Sequence, residues 1–137
     1  MNAPVTIDAS VFVSAFTPIE PAHAASRAFM LSIRATDTPI IVPALLLPEI
    51  AAALARGQGK PELGVAFADE VASFPNLILV AVDESLARLA AETAAMYKLR
   101  GSDAVYAAVS RRFATRLVTL DREQLERLGA VVTVSAP

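Results

Sequence analysis

Short apolar runs alternate along the chain with longer segments whose apolar residues recur every three to four positions. Val5-Thr6-Ile7, Ile40-Ile41-Val42, Leu77–Val82, Leu117–Leu120 and Val131–Val134 have the length of buried strands, and turn formers bound most of them. Between the first two lie an apolar segment, Val11–Phe16, broken at Thr17-Pro18, and a helical pattern from Pro21 to about Ala35. Ala22, Ala25, Phe29, Ser32 and Ile33 give that helix one packing face. A further helix runs from Pro43 to Arg56 and is closed by Gly57. Pro48 cannot donate its backbone hydrogen bond, so a kink or a true start is expected there, with Glu49 in the first turn. Pro61–Phe74 carries a core stripe of Leu63, Phe67, Val71 and Phe74. Asp83 caps a helix with a face of Leu86, Leu89, Ala90, Thr93, Met96 and Tyr97. A turn at Arg100-Gly101 leads into a helix opened by Ser102-Asp103, and a short helix from Arg122 to Leu128 stops at Gly129.

Strands alternating with helices indicate a parallel sheet covered on both faces. Right-handed crossovers then give an α/β fold, a three-layer α/β/α sandwich with a central, mainly parallel sheet of four to five strands. At 137 residues the chain is expected to form a single domain, residues 1–137.

This arrangement assigns a place to four acids. Asp8 and Asp121 end strands, while Glu49 and Asp103 begin helices. Helices flanking a parallel sheet run opposite to its strands, so all four positions fall at the carboxyl edge, where open α/β sheets bind ligands. Each acid has a plainer reading: Asp103 as a favourable charge at a helix start, Asp121 as an N-cap. Glu49 stands among Leu47, Ile50 and alanines, and Asp8 closes an apolar strand, where a surface charge is not expected. Carboxylates crowded together repel, and a hard divalent cation such as Mg²⁺ relieves that repulsion through oxygen ligands. Ser10 and Thr119, each two residues from one of these acids, are placed to orient the carboxylates.

The net charge of −2 argues against a nucleic-acid partner until the four acids are set aside as metal ligands. Most of the basic residues lie in the second half of the chain; Arg100, Arg111, Arg112, Arg116 and Arg122 are candidates for phosphate contacts. With no cysteine there is neither a disulfide framework nor a thiolate metal site. No apolar run reaches the roughly 18 residues of a membrane span, and no positively charged leader opens the chain, so a cytoplasmic protein without membrane contact is expected. Hydrophobic residues make up 55% of the chain, enough to suggest that a partner covers part of the surface. The single histidine, His23, lies outside all of these patterns. Tyr106 fits a helix packing face, one turn from Asp103 and within reach of a substrate base, and Met30 and Met96 read as core fillers.

Four segments carry a family resemblance. V-T-I-D-A-S-V-F-V resembles the first motif of PIN domains, V-P-A-L-L-L-P-E-I-A-A-A-L the second, L-R-G-S-D-A-V-Y-A-A the third and L-V-T-L-D-R-E-Q the fourth. Single-domain PIN proteins of this size resemble the VapC-type toxins of toxin–antitoxin pairs. The resemblance implies a Mg²⁺- or Mn²⁺-dependent endoribonuclease with Asp8, Glu49, Asp103 and Asp121 as its catalytic and metal-binding quartet. It also implies a homodimer, and a small antitoxin whose C-terminal segment covers the site. The chain departs from the family pattern at Ala52, where a polar residue is common, and at Pro48. A non-catalytic PIN-like module holding RNA or a protein is the alternative. A phosphoryl-transfer receiver or phosphatase would need a lysine at the carboxyl edge, and neither Lys60 nor Lys98 follows a strand.

Overall fold

Strand β1 (Val5–Ile7) lies at the centre of the sheet, and every other element is placed relative to it. The structure, a computed structural model, describes residues 2–137. After β1 come α1 (Ala9–Phe16), α2 (His23–Ala35), β2 (Ile40–Pro43), α3 (Leu46–Gln58), α4 (Pro61–Ala72) and β3 (Leu77–Val80). The second half contains α5 (Glu84–Tyr97), α6 (Gly101–Phe113), β4 (Arg116–Val118), α7 (Arg122–Arg127) and β5 (Val134–Ser135). All strand pairings are parallel, in the order β3-β2-β1-β4-β5. The chain winds outward from β1 to β3, then returns to the other side of β1 for β4. The right-handed crossover rule puts α1–α4 on one face and α5–α7 on the other. The contacts agree: α1 meets α2 and α3, α3 meets α4, and α5 meets α6.

The apolar strand residues form the core. Val5, Ile7, Ile40, Val42, Leu117 and Val118 are fully buried. Helix α6 lies across β1, β2 and β4 and buries Ala104, Tyr106, Ala107, Ala108 and Val109. Its alanines let the helix backbone approach the sheet closely, which carries the first turn of α6 deep into the carboxyl edge. Between β1 and β4 the register pairs Thr6 with Leu117 and Ile7 with Val118, and Asp8 N donates to Val118 O at 2.9 Å. That last bond fixes the end of β1 against the segment that leads to Asp121.

Several boundaries differ from the sequence expectation. Val11–Phe16 is helical, because Asp8 caps α1 by accepting from Ser10 N. Helix α3 starts at Leu46 rather than Pro43 and runs through Gly57 to a left-handed Gly59 (φ 65°). Pro48 occupies the first turn, where its missing N–H has no helical partner to lose, so nothing kinks and Glu49 keeps its expected place. On α2 the inner residues are Ser26 and Ile33, not Ala25 and Ser32, which are exposed. Met96 is 60% exposed and no core filler. The third strand is a sheet edge with Ile78 and Leu79 both exposed, and the last strand lies at Val134–Ser135 instead of Val131–Val134. Among the described residues no helix is long and apolar enough to cross a membrane.

Two glycines on α3 and α4 have opposite expected responses to alanine. A Cβ on Gly64 would lie 2.4 Å from the Ala51 carbonyl oxygen, so Gly64→Ala forces the two helices apart and should cost about 1–3 kcal/mol. Gly57 sits in open space inside α3, and Gly57→Ala should stabilise the protein by about 0.4–1 kcal/mol. Urea denaturation of the two variants checks both signs.

Candidate active site

The carboxyl ends of β1 and β4, where the winding reverses, open into a cleft of about 440 Å³. Asp8, Glu49, Asp103 and Asp121 all line it, with Ser10, Glu20, Arg56, Arg100 and Ser102 among their neighbours. Asp8 and Asp103 are each only 6% exposed.

Local hydrogen bonds fix the carboxylates one by one. Asp8 Oδ2 accepts from Ser10 N at 3.2 Å and from Thr119 Oγ1 at 3.3 Å. Thr119 Oγ1 in turn accepts from Asp121 N at 3.0 Å, so one hydroxyl ties the ends of β1 and β4 together. Ser10 Oγ accepts from Leu120 N at 3.1 Å; the serine reaches Asp8 through its backbone rather than its hydroxyl. Asp121 is the N-cap of α7, accepting from Gln124 N at 2.9 Å through Oδ1. Gln124, fully buried, sends Nε2 to Asp103 Oδ1 at 3.2 Å. Arg100 donates from Nε to Asp103 Oδ2 at 3.0 Å and from Nη2 to Asp121 Oδ2 at 2.8 Å.

Electrostatics follow from this crowding. Burial pushes the Glu49 carboxyl above its usual range; the neighbouring Tyr106 phenol partly offsets this, and Asp8 and Asp103 add to the rise. Burial likewise raises Asp103, Arg100 pulls it back, and Asp121 and Asp8 raise it further. Tyr106 is pushed up by burial and then by Glu49. Although they face each other, the Glu49 Oε1 and Tyr106 Oη atoms complete no hydrogen bond of good geometry, and both are buried without a partner.

A hard divalent cation fits this donor set. Four carboxylates share one cleft, and Glu49 keeps one buried oxygen unengaged. Among the described residues no three acids or histidines already stand close enough to hold an ion by themselves.

Not every residue singled out in the sequence reaches the cleft. Arg111 and Arg112 close α6 and Arg116 opens β4, all at the opposite, amino edge of the sheet. Arg111 donates to Thr93 Oγ1 and Arg112 to Ser85 Oγ, each at 2.9 Å, and Arg116 stacks over Phe29. Phosphate contacts at the cleft are therefore not theirs. Arg122 is exposed and directly follows Asp121, while Arg100 holds carboxylates. Tyr106 is fully buried and cannot meet a substrate base. His23 Nδ1 lies 2.9 Å from Ser14 O and does not itself line the cleft. Sequence reasoning missed Gln124 and Arg56. Gln124 was visible as the third residue after an aspartate N-cap, a capping-box position; Arg56 carried no local signal.

A parallel α/β sheet with an acidic cleft at its reversal point defines the class. The PIN domain profile matches residues 5–131, and the chain belongs to that family. No curated protein matches in sequence. Among solved structures, VapC20 of Mycobacterium tuberculosis, described as a sarcin-ricin-loop-cleaving toxin, is similar at 17% identity and a TM-score of 0.72, over 86% of this chain and 90% of that one. VapBC2 of Rickettsia felis, bound to a promoter DNA fragment, aligns at 14% identity and a TM-score of 0.71, over 98% of both chains. DNA-bound VapBC of Salmonella typhimurium aligns at 16% identity and a TM-score of 0.71, also over 98% of both.

The raised carboxyls make stability depend on pH in a defined direction. Where folded Glu49 and Asp103 bind protons more readily than the unfolded chain, stability falls as pH rises. In EDTA, the melting temperature should therefore climb as pH drops from neutral toward the ordinary carboxylate range. Glu49→Gln should raise the metal-free midpoint at pH 7 by about 1–3 °C and flatten that climb. Thermal melts between pH 5 and 8 test both.

Proposed function

We propose that residues 1–137 form one PIN domain that acts as a Mg²⁺- or Mn²⁺-dependent endoribonuclease, the cytoplasmic toxin of a toxin–antitoxin pair. The observation that carries this reading is the convergence of Asp8, Glu49, Asp103 and Asp121 on one cleft, with Glu49 Oε1 unengaged. Family membership supports it. The similar folds of VapC20 and of the VapBC complexes support an RNA substrate and an antitoxin partner.

The four acids would hold the ion. When bound, it supplies charge neutralisation at the phosphoryl group and Lewis acidity toward water. The chain's own residues do the rest. Thr119 and the Ser10 backbone fix Asp8, and Gln124 fixes Asp103 and Asp121, so the donor oxygens are set before substrate arrives. Water attacks phosphorus in line, its oxygen bonds to phosphorus as the bond to the 3′-oxygen breaks, and a 5′-phosphate results. With the single histidine held at Ser14, the water's proton passes to a cleft carboxylate, and the departing 3′-oxygen takes a proton from solvent. Arg56 and Arg100 line the cleft, and Arg122 stands beside Asp121, positions suited to backbone phosphates.

A homodimer belongs to the same proposal. Helices α4 and α5 offer exposed Val65 and Met96, and the neighbouring edge strand β3 offers Ile78 and Leu79. A dimer burying these residues should show a concentration-dependent sedimentation coefficient, whereas a monomer at every concentration removes this part of the proposal.

Asp8→Asn and Asp103→Asn should each lower Mn²⁺-dependent cleavage of RNA to about 1% of wild type or less. Undiminished cleavage in both variants would sink the nuclease assignment. Calorimetry gives the second check. Absence of Mn²⁺ binding at millimolar metal would leave the non-catalytic RNA- or protein-holding module as the better reading.

A further inference from the structure

Asp103 and Asp121 are engaged in a matched way. Their Oδ1 atoms point to one residue: Asp103 Oδ1 accepts from Gln124 Nε2 at 3.2 Å, and Asp121 Oδ1 accepts from Gln124 N at 2.9 Å. Their Oδ2 atoms point to another: Arg100 Nε at 3.0 Å and Arg100 Nη2 at 2.8 Å. Gln124 is fully buried and belongs to the scaffold, whereas the Arg100 side chain is 69% exposed. One face of the acid pair is thus closed by buried Gln124, and the other by an exposed cation that solvent reaches freely. Any cation entering from the cleft meets the Oδ2 atoms, and those are the ones Arg100 covers.

The planar guanidinium suits this task. It spans two separate carboxylates with two donors of one fork, which a lysine ammonium on a single point cannot reproduce. The guanidinium is exposed while Asp103 is nearly buried, so the bridge opens at small cost only where another cation takes over the carboxylates. A divalent cation carries twice the charge of Arg100 and relieves more of the repulsion among the four acids. Released, the arginine still lies at the cleft, now unpaired beside the position of an incoming phosphate.

We propose that Arg100 is an exchangeable counter-ion: it holds the Oδ2 atoms of Asp103 and Asp121 in the metal-free chain, yields them to a divalent cation, and then pairs with the substrate's phosphate. The inference rests on the metal-dependent reading above and adds to it an order of events and a competition within the chain. Arg100 acts on the acids as a positioning residue until it is released.

Three measurements test it on the full chain, with Mn²⁺ and Mg²⁺ as probes. In calorimetry, Arg100→Ala should bind Mn²⁺ about three- to tenfold more tightly than wild type, since the competing cation is gone. In wild-type protein labelled with ¹⁵N, the Arg100 Nε–H resonance, assigned by its absence from Arg100→Lys, should be protected without metal. It should lose that protection as Mg²⁺ saturates the site. With Mn²⁺ saturating, Arg100→Ala should raise KM for RNA more than it lowers kcat. Equal or weaker Mn²⁺ binding by Arg100→Ala, or an Nε–H signal that stays protected at saturating Mg²⁺, overturns the exchange while leaving the metal site intact. Absence of Mn²⁺ binding in both proteins overturns the metal reading and the exchange with it.

Discussion

Repulsion among four carboxylates at one sheet edge is the constraint around which this cleft is built. Two devices contain it. Hydrogen-bond donors fix individual oxygens: Thr119 and Ser10 N at Asp8, Gln124 at Asp103 and Asp121. Arg100 supplies the opposing charge at the rim. Glu49 receives less help: its Oε1 is unpartnered, and burial together with the neighbouring acids raises its pKa although Tyr106 and Arg100 pull it back in part. Left alone, that carboxylate costs folding free energy, because buried acceptors without donors are rarely tolerated. Stability at this position is traded for a preset, unengaged oxygen.

The sheet supplies the precision. Because β4 pairs with β1 in parallel register, the end of one strand stands beside the end of the other, and Thr119 can bridge them. Helix α6 supplies the third acid by running its alanine face over β1, β2 and β4, so that Asp103 arrives at the same edge nearly buried. Glu49 follows from the first turn of α3, which starts just past β2. A one-residue slip of β1 against β4 would turn the side chains of β1 to the opposite face of the sheet and dismantle the bridge. Geometry at the site is therefore a consequence of core packing several residues away.

Most of this arrangement could be read from apolar spacing. Strand ends and helix starts are marked by where hydrophobic runs stop, and topology alone then brings Asp8, Glu49, Asp103 and Asp121 to one edge. Sequence spacing says less about rotation and about pairing. The buried side of α2 passes through Ser26, whose hydroxyl is buried without a partner, while Ala25 points outward, an assignment that apolar spacing does not give. Met96 sits in the apolar stripe of α5, yet no neighbour covers it. The partner of a charge is the least local property of all. Nothing within the sequence window of Arg111, Arg112 or Arg116 distinguishes a phosphate contact from a bond to Thr93, to Ser85 or to the Phe29 ring. Each of those partners lies on a different element, 18 residues or more away.

That redistribution of arginines bears on how any polyanion would be held. Three of five candidate cations brace the amino edge of the sheet, which leaves Arg100 and Arg122 near the acids, joined by Arg56 on the cleft wall. With a net charge of −2, the chain has no overall attractive field for RNA, so long-range steering cannot supply the affinity. Binding must instead come from short-range contacts inside a narrow zone where negative charge already dominates. A divalent cation would offset much of that negative charge and offer a phosphate a direct positive partner, and in the exchange proposed for Arg100 it would also free a guanidinium next to it. On this argument the proposed metal and substrate binding would be one electrostatic event: without the ion the cleft would repel a phosphate, and with it the same acids would anchor what neutralises one.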